Sequence, residues 1–297
     1  PKICSYSCVY CQLGRTLEMR TARRAFYDPQ HIYEADRERV REVRRAGEPV
    51  DSLSFVPDGE PTLDRNLGSE IELLQDLGVE IAVITNASLI WHPEVRDALA
   101  RADRVSLKMD AVREDVWRRI CRPHRSLHLS RILEGALAFS ESFRGRLVTE
   151  TMLVEGMNDS VPLLEDLSVF LAALRPETAY LTIPTRPPAE RTVRAPDENV
   201  VTRAWSILSE AVDDVECLTG HEGDTFFSSG RVDEDLLAIT SVHPMRARAV
   251  DALLARRGAD WSIVRGLVEG GELIEVEFGG QAFLTRTFTH RHPESGS

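Results

Sequence analysis

The sequence lacks any long run of apolar residues. Its 297 residues contain no stretch near the roughly 18 that a membrane-spanning helix requires, and no apolar signal-peptide core opens the chain. It also lacks an excess of positive charge, because 36 lysines and arginines face 48 acidic residues. A sequence-independent nucleic-acid binder would usually be basic. We therefore expect a cytoplasmic protein with no membrane partner, and its 42% hydrophobic residues exclude wholesale disorder.

The cysteines are few and unevenly distributed. Three of the five lie within eight residues, at Cys4, Cys8 and Cys11, whereas Cys121 and Cys217 are isolated. An odd number of cysteines without an export signal disfavours a disulfide framework. A closed zinc site usually needs two pairs of ligands, and the sequence has no second pair. Three neighbouring thiolates therefore indicate an iron–sulfur cubane with one iron open to another ligand.

Strands and helices alternate through the first two thirds of the chain. This rhythm predicts right-handed βαβ units and a parallel sheet, with the chemistry at the carboxyl ends of the strands. We expect an α/β fold, a partial (β/α)6 TIM-like barrel with five strands after the cysteines. The predicted strands are 52–56, 81–84, 105–109, 147–154 and 179–183, and the predicted helices are 29–46, 67–77, 92–102, 128–143, 162–174 and 197–212.

The last part of the chain has a different pattern. Three short amphipathic helices are predicted at 233–240, 245–256 and 260–269, followed by a hairpin around Gly279 and Gly280. Three helices and a hairpin indicate a winged-helix-like domain. The predicted domains are a barrel at 1–218, a linker loop at 219–231, the winged-helix-like domain at 232–288 and a disordered tail at 289–297.

The cysteine spacing resembles the defining motif of the radical S-adenosylmethionine (radical SAM) enzymes, including the aromatic residue Tyr10 before the third cysteine. Gly59-Glu60-Pro61-Thr62 resembles a motif variant that follows the first predicted strand in related enzymes. The segments Cys-Val-Tyr-Cys-Gln-Leu-Gly, Gly-Glu-Pro-Thr-Leu and Ile-Thr-Asn look most like bacterial and archaeal relatives of the tRNA-wyosine synthase group. The resemblance implies a [4Fe-4S] cluster on the three cysteines and S-adenosylmethionine as cosubstrate.

The resemblance also implies which residues hold S-adenosylmethionine. A carboxylate accepts hydrogen bonds from the amino group, and glycine lets the backbone approach the ligand. Polar residues at the next strand ends hold the ribose, the carboxylate and the adenine. The implied set is Tyr10, Gly59, Glu60, Pro61, Thr85, Asn86, Ser106, Lys108 and Asn158. Two of them have structural alternatives, a turn for Asn86 and an ion pair for Lys108, and the direction in which Glu150 faces stays open.

The implied activity is reductive cleavage of S-adenosylmethionine to a 5′-deoxyadenosyl radical, with a flavodoxin- or ferredoxin-like reductant and a monomeric enzyme. The substrate is RNA, such as tRNA, or alternatively a peptide or protein. A non-enzymatic Fe–S or zinc regulatory protein is a further alternative. The roles of Cys121, Cys217 and His221 stay open. Because the family places its cluster loop after the first of six strands, we expect that first strand to precede Pro1.

Overall fold

The computed structural model describes residues 2–16, 18–56, 59–218, 231–242 and 244–287. The chain divides into two compact units, Ile3–Gly220 and His221–Ser297, with Pro1–Lys2 grouped with the second. The predicted linker, apart from Arg231, and the predicted tail lie outside the described residues. Within the described residues, no helix is long and apolar enough to cross a membrane.

A parallel sheet forms the centre of the first unit. Its six strands lie side by side in chain order, and each pairs with the next in parallel register. The strands are β1 Ser52–Phe55, β2 Glu80–Thr85, β3 Arg104–Lys108, β4 Arg146–Met152, β5 Thr178–Thr182 and β6 Val215–Leu218. This arrangement confirms the α/β class and is consistent with a partial barrel.

Helices connect these strands. Most of them begin where the sequence places a cap or a proline; in α1, Asp28 accepts a hydrogen bond from Gln30 N at 2.9 Å and Pro29 opens the helix. The helices of this unit are α1 Pro29–Arg45, α2 Leu67–Gln75, α3 Pro93–Leu99, α4 Glu114–Cys121, α5 Leu129–Ser142, α6 Val161–Leu174 and α7 Glu198–Ser209, with a short 3-10 helix at Pro61–Leu63.

The strands separate an apolar face from a polar one. In β3, Val105 and Leu107 are fully buried in the core, whereas Ser106 and Lys108 alternate with them on the opposite face. The register sets Lys108 beside Glu150 of β4. Polar side chains therefore line the face that the helix-packed core leaves free.

Two elements of the first unit differ from the sequence prediction. The expected count of five strands is wrong, because β6 adds a sixth. Its segment, Val-Glu-Cys-Leu, has only four residues and therefore gives a weak strand signal. Helix α4 was not predicted either. It lies between β3 and β4, where the prediction has only α5.

The second unit contains α8 Val232–Val242, β7 Met245–Arg246, α9 Ala247–Arg257, α10 Trp261–Glu269, β8 Leu273–Phe278 and β9 Gln281–Arg286. The three strands form an antiparallel sheet in the order β7-β9-β8. The hairpin turn is confirmed, with φ values of 57° and 71° at Gly279 and Gly280. Met245–Arg246 is a strand, so the prediction that helix α9 begins at Met245 is wrong.

Candidate functional site

The segment that contains Cys4, Cys8 and Cys11, residues 3–15, is called the cysteine loop here, and it begins beside the end of β1. Ile3 forms a parallel bridge with Gly59, and Glu60 N donates a hydrogen bond to Ile3 O at 3.0 Å. Gly59 has a φ of +151°, and a Cβ atom added there would lie 1.6 Å from Ile3 O. Only glycine permits this close approach of two backbones. The glycine of the predicted motif therefore sets the position of the cysteine loop; its predecessors, residues 57–58, lie outside the described residues.

The same loop contacts the residues that follow three further strands. After β2, Asn86 Nδ2 lies 3.4 Å from Cys4 Sγ. After β3, Asp110 accepts a hydrogen bond from the Tyr10 hydroxyl. After β5, Glu190 N donates a hydrogen bond to Val9 O at 3.0 Å. The three cysteines thus lie at the carboxyl edge of the parallel sheet, where open α/β folds place their ligands.

Glu60 joins the ends of β1 and β2. Its Oε1 accepts hydrogen bonds from Thr62 N at 3.0 Å, Thr62 Oγ1 at 2.6 Å and Thr85 Oγ1 at 2.5 Å, and its Oε2 accepts one from Asn86 N at 2.7 Å. Burial raises the pKa of Glu60, and these donors offset part of the rise. The carboxylate is therefore a structural bridge, and Oε2 is the oxygen with room for a further donor.

The amide of Asn86 is held in one orientation. Its Nδ2 contacts Cys4 Sγ and donates to Ser5 Oγ at 3.1 Å, while its Oδ1 accepts from Ser88 N at 2.9 Å. The last bond is an Asx turn, so the turn alternative for Asn86 holds. In addition to forming this turn, the Asn86 side chain faces the sulfur of Cys4, a contact that the turn does not require.

A partly buried polar network lies beside the cysteine loop and consists of Tyr10, Lys108, Asp110 and Glu150. Lys108 Nζ donates to Glu150 Oε1 at 2.8 Å and lies 5.0 Å from the centre of the Tyr10 ring. Burial alone would lower the pKa of Lys108, but Glu150 and Asp110 raise it above its usual value. Burial raises the pKa of Asp110, against the effects of Lys108 and Tyr10. Lys108 thus forms an ion pair with Glu150, which shares the polar face, and its predicted contact with S-adenosylmethionine stays a prediction.

Asn158 has internal partners. It is 4% exposed, and its two amide protons go to the backbone oxygens of Asp110 and Met152, both at 2.9 Å. Its Oδ1 accepts from Val154 N at 2.9 Å. Asn158 thereby links the segments that follow β3 and β4. The predicted contact with S-adenosylmethionine stays a prediction.

The two isolated cysteines have different surroundings. Cys121 is 3% exposed, and its Sγ lies 3.6 Å from Asp110 Oδ2. A hydrogen bond with Cys8 and burial raise the pKa of Cys121 well above its usual value. Cys217 lies on β6 and is exposed. His221 lies outside the described residues. Of the two isolated cysteines, Cys121 is thus the one that borders the cysteine loop.

Glu190 is a site residue that the sequence analysis missed. Its two carboxylate oxygens pair with Arg15 at 2.8 Å and with Arg122 at 2.5 Å. Both arginines lower the pKa of Glu190. The loop after β5 is thereby fixed to the cysteine loop and to the end of α4. The contact between Arg15 and Glu190 could not be predicted from a sequence pattern, because the two residues are 175 positions apart.

The cysteine loop fits an iron–sulfur cluster by its chemistry. Three thiols come from one short loop, and Tyr6 N and Asn86 Nδ2 lie 3.5 and 3.4 Å from Cys4 Sγ, as donors do around an anionic sulfur. In the part of the chain that the structure describes, no three or more His, Cys, Asp or Glu side chains surround a single ion position. A cubane distributes its cysteines over different irons, whereas structural zinc needs four converging ligands.

The chain is similar to known proteins in sequence and in fold. A family model described as "Radical SAM superfamily" matches residues 1–167. A UPF0026 protein of Methanocaldococcus jannaschii is 41% identical over 292 residues, which cover 98% of this chain and 90% of the relative.

Two solved structures resemble the fold. A radical SAM methyltransferase from Sphaerobacter thermophilus matches with a TM-score of 0.56 and 17% identity, over 74% of this chain and 64% of that one. TYW1 with a lysine-pyruvate adduct bound matches with a TM-score of 0.52 and 19% identity, over 71% of both chains. At these identities the likeness concerns the fold alone.

Proposed function

The chain belongs to the radical SAM superfamily of enzymes and to the UPF0026 family, and we propose that Cys4, Cys8 and Cys11 hold a [4Fe-4S] cluster that works with S-adenosylmethionine. When bound, this pair supplies one-electron cleavage of the S–C5′ bond and hydrogen abstraction from a substrate. The observation that carries the proposal is the position of the cysteine loop, which contacts the residues after β1, β2, β3 and β5.

The residues around the loop position the ligands. Gly59 allows the close backbone approach. Among the described residues Oε2 of Glu60 accepts from one donor, Asn86 N, so it can also accept from an ammonium group. Lys108 stays protonated beside Glu150 and attracts a carboxylate, while Ser106 on the same face donates to a hydroxyl.

Cleavage of S-adenosylmethionine tests this proposal directly. The protein is reconstituted anaerobically with iron and sulfide, reduced with dithionite and incubated with S-adenosylmethionine. We expect 5′-deoxyadenosine, measured by liquid chromatography, together with about four irons per chain.

Cysteine variants provide the controls. Cys4→Ser removes a ligand and is expected to abolish both the cluster and the product. Cys217→Ser changes an exposed cysteine on β6 and is expected to retain both. A wild-type protein that forms no product where a known radical SAM enzyme succeeds would contradict the proposal, and a colourless protein with one zinc would favour a regulatory protein instead.

For the substrate we propose RNA, and for the electron donor a flavodoxin- or ferredoxin-like protein. The motif resemblance to the tRNA-wyosine synthase group supports RNA. The element order of the second unit supports a winged-helix-like domain that contacts the substrate. Binding of tRNA to the purified protein that weakens steeply with salt is the expected result.

A peptide is a second candidate because of the charge on the hairpin. Glu275 and Glu277 of β8 are exposed, which makes this hairpin a poor phosphate-binding face. An absence of tRNA binding at low salt, together with binding of basic peptides, would favour this alternative. We propose that the enzyme is a monomer, which light scattering of the reconstituted protein tests.

A further inference from the structure

The backbone N–H of Tyr6 and the amide N–H of Asn86 both approach the sulfur of Cys4. Tyr6 N, two residues along the same loop, lies 3.5 Å from Cys4 Sγ. Asn86 Nδ2, 82 residues away at the end of β2, lies 3.4 Å from the same sulfur. The backbone contact follows from the loop itself, whereas the amide contact requires the sheet to bring Asn86 to the loop.

The orientation of the Asn86 amide is fixed on both sides. Ser88 N donates to Oδ1 at 2.9 Å, so the nitrogen end of the amide must face the cysteine loop. Of the two amide protons, one points to Cys4 Sγ and the other to Ser5 Oγ at 3.1 Å. Ser5 and Ser88 are fully buried, and their hydroxyls lie 2.6 Å apart. Both protons of the amide are therefore committed within the protein.

We propose that Asn86 is a positioning residue that acts through the Cys4 sulfur, and that its N–H raises the reduction potential of the cluster. Reduction adds negative charge, and a donor to a ligand sulfur stabilises the more negative state. Hydrogen bonds to ligand sulfurs are among the features that set cluster potentials. The inference rests on the proposed function, because Cys4 must be a cluster ligand. It assigns Asn86 a role other than the contact with S-adenosylmethionine that the family resemblance implies.

The test compares reduction potentials in the absence of S-adenosylmethionine. Asn86→Leu keeps the size of the side chain and removes the donor. In titrations of the reconstituted protein monitored by electron paramagnetic resonance, we expect the equilibrium constant for one-electron reduction to fall about tenfold. This corresponds to a potential that is about 59 mV more negative.

Ser5→Ala is the matched control. It removes the second acceptor of the Asn86 amide and leaves the N–H group that faces the sulfur. Its potential is expected to equal that of the wild type. An Asn86→Leu potential equal to the wild type would overturn the inference, as would an equal shift in Ser5→Ala, which would assign the effect to loop packing.

A measurement on the wild type covers the case in which Asn86→Leu fails to load a cluster. With 15N-labelled asparagine, pulsed electron paramagnetic resonance is expected to detect a 15N nucleus coupled to the reduced cluster, because Asn86 Nδ2 lies 3.4 Å from Cys4 Sγ. No coupling would overturn the inference while the cluster itself upholds the proposed function. A wild type without any [4Fe-4S] signal would refute the proposed function first.

Discussion

Gly59→Ala is the substitution for which the structure gives the sharpest expectation. The new Cβ would lie 1.6 Å from Ile3 O, and the φ of +151° is a conformation that side chains rarely adopt. Such strain costs about 1–3 kcal/mol, and losing the hydrogen bond from Glu60 N to Ile3 O adds about 1 kcal/mol. Because the collision is with the cysteine loop, the total of roughly 2–4 kcal/mol disfavours the loop conformation by about 30-fold to 1000-fold.

The assay is the iron content per chain after anaerobic reconstitution, measured beside the midpoint of thermal unfolding. Gly59→Ala is expected to lose most of its iron. Gly78→Ala is the matched control, since Gly78 also has a positive φ of +60° but has open space around the added Cβ. It is expected to load iron like the wild type. Full iron loading of Gly59→Ala would refute the argument that this glycine sets the position of the cysteine loop.

Three further predictions concern buried groups. Glu70 is 2% exposed, and burial together with a neighbouring carboxylate raises its pKa from 4.5 to about 7. The folded state then binds the extra proton, so the free energy of unfolding should fall as pH rises from about 4.5 to about 7. Glu70→Gln should remove roughly 1–3 kcal/mol of this dependence, as urea titrations at several pH values can measure. An unchanged pH dependence in this variant would contradict the raised pKa of Glu70. Asn158→Ala should lower the free energy of unfolding by roughly 2–3 kcal/mol through its lost buried hydrogen bonds; unchanged stability with a higher KM for S-adenosylmethionine would instead favour ligand contact. Iodoacetamide should label the exposed Cys217 in the folded protein, but the buried Cys121 only after unfolding, as peptide mass spectrometry can show. Rapid labelling of Cys121 in the folded protein would contradict its burial.

The sequence predicts the positions of most strands and helices of the first unit well, because they depend on local patterns. Alternation of apolar residues locates β2 to β5, and the cysteine spacing is visible without any structure. The direction of Glu150 could not be read, because it depends on the register of β4 against β3. Glu190 was missed because its partner Arg15 is 175 residues away and forms no motif with it. Strand β6 was not predicted because its segment, Val-Glu-Cys-Leu, is only four residues long.

The contacts of the cysteine loop also determine when the site can exist during synthesis. The loop precedes all six strands in the sequence, yet its partners lie as far along the chain as Asp110 and Glu190. Domains fold as units while the ribosome adds about 5–20 residues each second, so the thiols wait many seconds for these partners. Loop closure over such distances is slow compared with local folding. The cysteine loop can therefore complete its described contacts only after the β5–α7 loop has been synthesised and has docked against it.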